Sequence, residues 1–211
     1  MLKKNRGTLI LTSTLTILPI LAGLILWNKL PDQIATHWGA GGEVNGWSSK
    51  AFAVFGMPAF LLAMHWACIL ATLADPKNKY IARKPFRLVV WIIPVISLLM
   101  SFIIYATALG ADIRVDMIVT LFMGILFIAV GNYLPKCRQN YTIGIKLPWT
   151  IHDEENWNRT HRLAGRVWTI GGALILLTAL IGQPMILFFI FAAMVLIPTV
   201  YSYLYYRKNR S

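Results

Sequence analysis

Apolar residues gather in six runs along the chain, at roughly 8–27, 51–74, 88–110, 117–134, 164–181 and 184–205. Each is about long enough to carry a helix across ~30 Å of hydrocarbon, with the fourth and fifth near the minimum. The only formal charge inside these bounds is Arg166, close to one end of the fifth run. The pattern predicts an all-α, polytopic membrane protein of about six transmembrane helices. Ala59, Ala63, Ala67 and Ala71 recur at four-residue spacing, which predicts a close-packing face on the second span. Pro19, Pro58, Pro94 and Pro198 are expected to kink their spans. Four Tyr between 201 and 206, followed by Arg207 and Lys208, read as an interfacial anchor, and "IGQP" at 181–184 as a tight turn.

Two polar inserts interrupt the pattern. The first, "NKLPDQIATHWGAGGEVNGWSSK" at 28–50, has glycines at 39, 41, 42 and 46 that exclude a regular helix through its centre. Asn45-Gly46 suggests the turn of a hairpin. Trp38 and Trp47 are expected against the headgroup layer or against each other.

The second insert, roughly 131–166, is longer than a connector needs. Its "NYTIGIK" has local β character. Thr150 and Asp153 read as a capping-box-like helix start, with Asp153, Glu154 and Glu155 in the first turn where the helix dipole favours acids. Trp157, His161, Ala164 and Trp168 then share one helical face. A short amphipathic helix running on into the fifth span is the expected form.

Charge gives these elements an orientation. Seventeen of the 20 basic residues fall before span one, after span two, after span four and after span six, while the eight acids divide evenly between the two sides. By the positive-inside rule both termini are cytoplasmic, the first insert is extracytoplasmic and the second cytoplasmic. The expected organisation is a two-span unit, 1–74, carrying the loop 28–50, then a four-span unit, 75–211, carrying 131–166. A net charge of +12 would suggest nucleic acid in a soluble protein. Here the excess lies where anionic lipid heads are, so lipid is the expected partner and direct nucleic-acid binding is not.

Chemistry finds few footholds. Cys68 and Cys137 have neither metal-ligand spacing nor an oxidising compartment in common. His37 and His161 fall on opposite sides of the membrane, and His152 and His161 are nine apart, so no metal or other cofactor is expected. His65, mid-span in the second run, is an intramembrane candidate, against the plainer reading of a neutral His bonded to a neighbouring helix. No hydrolase, zincin or phosphate-loop signature is present, and the protein reads as no enzyme.

"GNYLPKCRQNYTIGIKLPWTIHDEENWNRTHRLAGR", 131–166, resembles the signature of the SdpI family, immunity proteins against a bacterial peptide killing factor. The residues carrying it are Gly131, Asn132, Pro135, Asn140, Gly144, Ile145, Pro148, Trp149, Thr150, Trp157, Thr160, His161 and Gly165, with Lys146 and Arg162 counted in the functional inner motif beside them. Lys146-Leu147 departs from the more usual Arg-Thr, keeping the charge but losing the planar guanidinium that would hold an anion bidentately. The first insert is similar to the uncharacterised domain that often precedes the signature, with Pro31, His37, Trp38, Gly42, Gly46, Trp47 and Lys50 matching.

The resemblance implies a multi-pass protein of the plasma membrane that confers resistance to a secreted antimicrobial peptide. On this expectation the outer residues Pro31, His37, Trp38, Gly42, Trp47 and Lys50 recognise the toxin. The inner motif, Asn132 to Arg162, holds the functional conformation or docks a cytoplasmic winged-helix repressor. Two alternatives stay open: a small-molecule or lipid transporter, and a membrane enzyme using His161 with Asp153 or Glu154.

Overall fold

The computed structural model describes residues 2–77, 81–181 and 184–209. Helix α1 spans Leu2–Leu26, and strands β1 (Gln33–Trp38) and β2 (Val44–Ser49) follow. A π-helical turn, Phe52–Gly56, leads into α2, Met57–Ala74. Then come α3 (Arg83–Ala108), α4 (Val115–Tyr133), a 3-10 turn at Leu134–Lys136 and α5 (Pro148–Ile151). The long helices α6 (Glu154–Ile181) and α7 (Pro184–Lys208) complete the chain. Six helices are long and apolar enough to cross a membrane, and they coincide with the six apolar runs. Residues 182 and 183 of the expected turn at 181–184 lie outside the described residues, as do Lys79 and Arg210.

By contacts the chain divides into two units, the first comprising residues 1–73 and 89–115. Its centre is a cluster of Leu30, Ile34, Ala53, Val54, Ile104 and Tyr105, with Trp27 and Trp38 packed against it. Gly23 sits on α1 where a Cβ would come within 2.7 Å of the Tyr105 hydroxyl, so the helix passes close to its neighbours. Hydroxyls fasten the helices where hydrocarbon surrounds them. Ser97 Oγ donates to the Thr16 carbonyl at 2.7 Å, and the Tyr105 hydroxyl to the Pro19 carbonyl at 3.1 Å. His65 Nε2 lies 3.2 Å from Thr12 Oγ1, and the imidazole is fully buried. This contact decides which face of α2 turns inward: Pro58, His65, Ile69 and Thr72 are buried. The alanine stripe is therefore not the packing face within this unit; among the described residues Ala59, Ala63, Ala67 and Ala71 are all exposed.

The first insert is an antiparallel hairpin, but its turn lies elsewhere than expected. The Gly39 N–H donates to the Glu43 carbonyl at 2.8 Å, and Gly42 adopts φ 85°, a left-handed conformation that favours glycine. Asn45-Gly46 lies within β2 instead. Gly46 pairs with His37, and a Cβ there would sit 2.9 Å from that of His37, so glycine serves close strand approach rather than a turn. His37 Nδ1 meets the Asn45 side-chain oxygen across the ladder. The two tryptophans have different surroundings: Trp38 packs on the cluster, while Trp47 is 60% exposed.

The second unit comprises residues 74–88 and 116–211. Helices α4 and α6 cross with backbone almost against backbone. A Cβ on Gly172 would lie 2.7 Å from the Gly124 carbonyl, and one on Gly165 would lie 2.8 Å from that of Gly131. The pairs are seven residues apart on both helices and run in opposite directions, as an antiparallel crossing requires. Beside this crossing, Trp168 Nε1 donates to the Met194 carbonyl of α7 at 2.9 Å, and Phe127 of α4 meets Trp168 and Phe191 edge-on.

Candidate functional site

The second insert folds into a lobe whose parts are named largely by the family signature. Asp153 caps α6: its Oδ1 accepts the Asn156 N–H at 3.0 Å, so the helix begins at Glu154. Thr150 and Asp153 thus serve two different helices rather than one capping box. Thr150 belongs to α5, where its hydroxyl accepts the Leu147 N–H and donates toward the Ile145 carbonyl, each at 3.0 Å.

The first turns of α6 then offer a buried arc of Asn156, Trp157, Thr160 and His161. Trp157 and His161, one turn apart, stack with ring centroids 4.1 Å apart. Trp157 Nε1 donates to the Cys137 carbonyl at 2.8 Å. His161 Nε2 accepts the Ile145 N–H at 3.0 Å, so that nitrogen carries the lone pair and Nδ1–H donates to the Trp157 carbonyl at 2.8 Å.

Gly144 lies directly on this stack. Its φ is 124°, and a Cβ there would be 2.4 Å from His161 Nε2 and 3.0 Å from the Trp157 ring. The segment expected to have β character is therefore an irregular cover over two rings, with Asn140 as its internal scaffold. Buried Asn140 donates to the carbonyls of Arg138 and Ile143, at 2.7 and 2.9 Å. Its Oδ1 accepts the N–H groups of Thr142 and Ile143, at 2.9 and 2.6 Å. An amide side chain satisfies a loop backbone here that no ladder serves.

A residue outside the signature completes the lobe. Asp75, immediately after α2, is 3% exposed. Its Oδ2 accepts the Tyr141 N–H and the Thr142 hydroxyl, both at 2.8 Å, and its Oδ1 accepts the Lys77 N–H at 2.7 Å. Lys77 Nζ reaches Gln139 Oε1 at 2.6 Å and lies 5.4 Å from the centre of the Tyr141 ring. Gln139 in turn donates to the Thr150 carbonyl at 3.1 Å. Sequence reasoning counted Asp75 only among the acids of the basic side, because its partners lie 66 and 67 residues away. Asn156 was likewise missed. It donates to the Ser202 carbonyl of α7 at 3.0 Å and accepts the Thr160 hydroxyl at 3.0 Å, an i,i+4 polar pair beside Trp157 that was readable from spacing.

The predicted site residues thus separate by role in the fold. Asn140, Thr150, Trp157, Thr160 and His161 are buried, and Gly144 and Trp149 are half-buried. Trp149 Nε1 donates to Ser202 Oγ at 2.9 Å, and its ring meets Tyr203 edge-on. Asn132, Pro135, Lys146, Pro148 and Arg162 are exposed. Pro135 also packs against Gly165, where a Cβ would be 2.6 Å away. His161 is buried with both nitrogens engaged, by the Ile145 N–H and the Trp157 carbonyl, and Asp153 caps α6. Burial also pushes the Cys137 thiol up to about 11, which keeps it protonated. Among the described residues no group of His, Cys, Asp or Glu could hold a metal ion.

In the hairpin, Lys50 is the best-held of the predicted residues. Its Nζ lies 3.3 Å from Asp32 Oδ1, 3.3 Å from the Trp27 carbonyl and 5.2 Å from the centre of the Trp27 ring. Pro31, His37 and Trp47 face outward, and Gly42 shapes the turn.

Comparison with known proteins places this geometry. Residues 136–202 match the model of the SdpI/YfhL protein family, and residues 14–62 match a domain of unknown function (DUF1648). The immunity protein SdpI of Bacillus subtilis (strain 168) is 30% identical over 98% of this chain and 98% of its own length. No solved structure matches. With most of its lobe inside the first match and its hairpin inside the second, and with 30% identity to an immunity protein along nearly the whole chain, this multi-pass membrane protein belongs to the SdpI family.

Proposed function

We propose that this chain protects its host cell from a secreted antimicrobial peptide, acting in the plasma membrane with both termini in the cytoplasm and the hairpin outside. The full-length similarity to an immunity protein carries this reading. The distribution of basic residues supports the orientation. Nothing in the reading requires turnover of a substrate. The hairpin is the surface that meets the peptide, through the exposed Pro31, His37 and Trp47. Expression in a peptide-sensitive strain should raise survival, and Trp47→Ala should lower that survival at unchanged protein level. Survival equal to an empty vector would overturn the proposal. Orientation is tested separately by cysteine labelling of intact cells: Ala40→Cys should react with an impermeant maleimide and Lys146→Cys should not.

The exposed signature residues favour a second role on the other side. Lys146, Pro148 and Arg162 stand on a lobe whose interior is fully engaged, as a rigid platform for a partner does. In this role the lobe docks a cytoplasmic winged-helix repressor and so signals. Co-purification of such a repressor with the wild-type protein, lost on Lys146→Glu with Arg162→Glu, is the expected result. Retention by the double variant would remove the lobe's surface from the reading.

A further inference from the structure

Beside the lobe, Pro148, Trp149, His152, Asp153, Tyr206 and Asn209 enclose a pocket of about 360 Å³. Its polar chemistry is one-sided. The Asp153 carboxylate is its only formal charge, and one oxygen suffices for the α6 cap. His152 gives its Nδ1–H to the Pro148 carbonyl at 2.6 Å, so in the neutral ring Nε2 is an acceptor. Asn209 brings an amide oxygen. Trp149 and Tyr206 add two π faces, with centroids 6.0 Å apart and planes inclined by 32°. Acceptors, one anion and two rings together suit a cation that can also donate hydrogen bonds.

The surroundings narrow that cation. Exposed Arg207 and Lys208, between the lining residues Tyr206 and Asn209, make the rim basic, which disfavours a free cation but suits a zwitterion with its anionic part outside the pocket. One turn before Tyr206, the exposed Tyr203 and Leu204 belong to a membrane-spanning helix, so the pocket opens where hydrocarbon gives way to headgroups. We propose that it binds the headgroup of phosphatidylethanolamine, with the ammonium between the two rings and Asp153 and the phosphate toward Arg207. A primary ammonium brings three N–H donors to these acceptors, whereas the quaternary ammonium of phosphatidylcholine brings none. This site does not depend on the immunity reading.

Native mass spectrometry of the full-length protein tests it, in detergent holding equal amounts of dioleoyl phosphatidylethanolamine, phosphatidylcholine and phosphatidylglycerol. The wild type should retain phosphatidylethanolamine over phosphatidylcholine by about tenfold, falling toward parity in Asp153→Asn and Trp149→Ala. Asn is as good a helix cap as Asp, so Asp153→Asn removes the charge and keeps the fold. Equal retention of the two lipids by the wild type overturns the proposal, as does a preference undiminished in Asp153→Asn. Binding of a hexalysine peptide without any preference among the lipids also overturns it, and reassigns the pocket to a lysine side chain of a protein partner.

Discussion

His161 accepts the amide proton of Ile145 on a nitrogen held 3.0 Å away, and the same ring stacks on Trp157. One side chain thereby satisfies a loop backbone donor and fills the space beneath it. His161→Ala removes both, leaving an unpaired N–H over a cavity, and should destabilise the second unit by about 2–4 kcal/mol. Trypsin cleavage after Lys146 in detergent micelles should quicken accordingly. Histidine ¹⁵N spectra of the wild type should show His161 protonated at Nδ1 and bare at Nε2; the opposite tautomer would refute the assignment.

Gly144 and Gly110 offer a paired test of backbone and space. Both have positive φ, 124° and 86°, but only Gly144 has neighbours that a Cβ would strike. Gly110→Ala should cost only the backbone strain, about 1 kcal/mol. Gly144→Ala adds displacement of the Trp157–His161 stack, for a total of about 3 kcal/mol or more. Thermal unfolding followed by tryptophan fluorescence separates the two; equal costs would mean that the rings yield freely.

Asp75 should be far more sensitive than an acid at the end of a span ordinarily is. Asp75→Ala strands the Tyr141 and Lys77 N–H groups and leaves the Thr142 hydroxyl its longer bond to Asn140 Oδ1 at 3.2 Å, at a cost of about 2–4 kcal/mol. Asp75→Asn keeps one acceptor oxygen and should recover about half of that. Hydrogen exchange at the Tyr141 amide reads the effect directly, and it should be fastest in the alanine variant.

Cys137 should resist alkylation. With the thiol pushed up to about 11, the reactive thiolate is scarce at neutral pH and appears as pH approaches that value. Maleimide labelling of the folded protein should therefore be slow at pH 7 and should accelerate on unfolding. Trp157→Ala, which removes the hydrogen bond to the Cys137 carbonyl and loosens the loop there, should accelerate it without denaturant. Rapid labelling of the native protein would show that the thiol is neither buried nor raised.

The spans and the shared face of Trp157, His161, Ala164 and Trp168 were legible because each depends on one local period, though which way that face turns was not. Uninterrupted apolarity marked the helices, and the four-three-four spacing put four residues on one face, of which Trp157, His161 and Ala164 are buried and Trp168 half-buried. What escaped depended on a distant partner or on a choice among equivalent local signals. Asp75 resembles any solvated charge until Tyr141 and Thr142 are known to lie against it. The alanine stripe and the face carrying His65 were both plausible inward faces of α2, and the Thr12 contact selected the second. Asn45-Gly46 and Gly39–Gly42 were both credible turns. The strand pairing of Gly46 with His37 settled that choice, and only three-dimensional proximity supplies it.

The glycine crossing of α4 and α6 bears on how the second unit transmits force. Two backbone-to-backbone contacts, two helical turns or about 10.5 Å apart, hold the helices close, with the Ile128 and Thr169 side chains packed tightly beside them. Neither sliding by a residue nor rotation about the helix axis is available without separating the helices. A push at one end of α6 is therefore delivered at the other as displacement of a stiff rod, and the stacked rings ride on that rod as cargo.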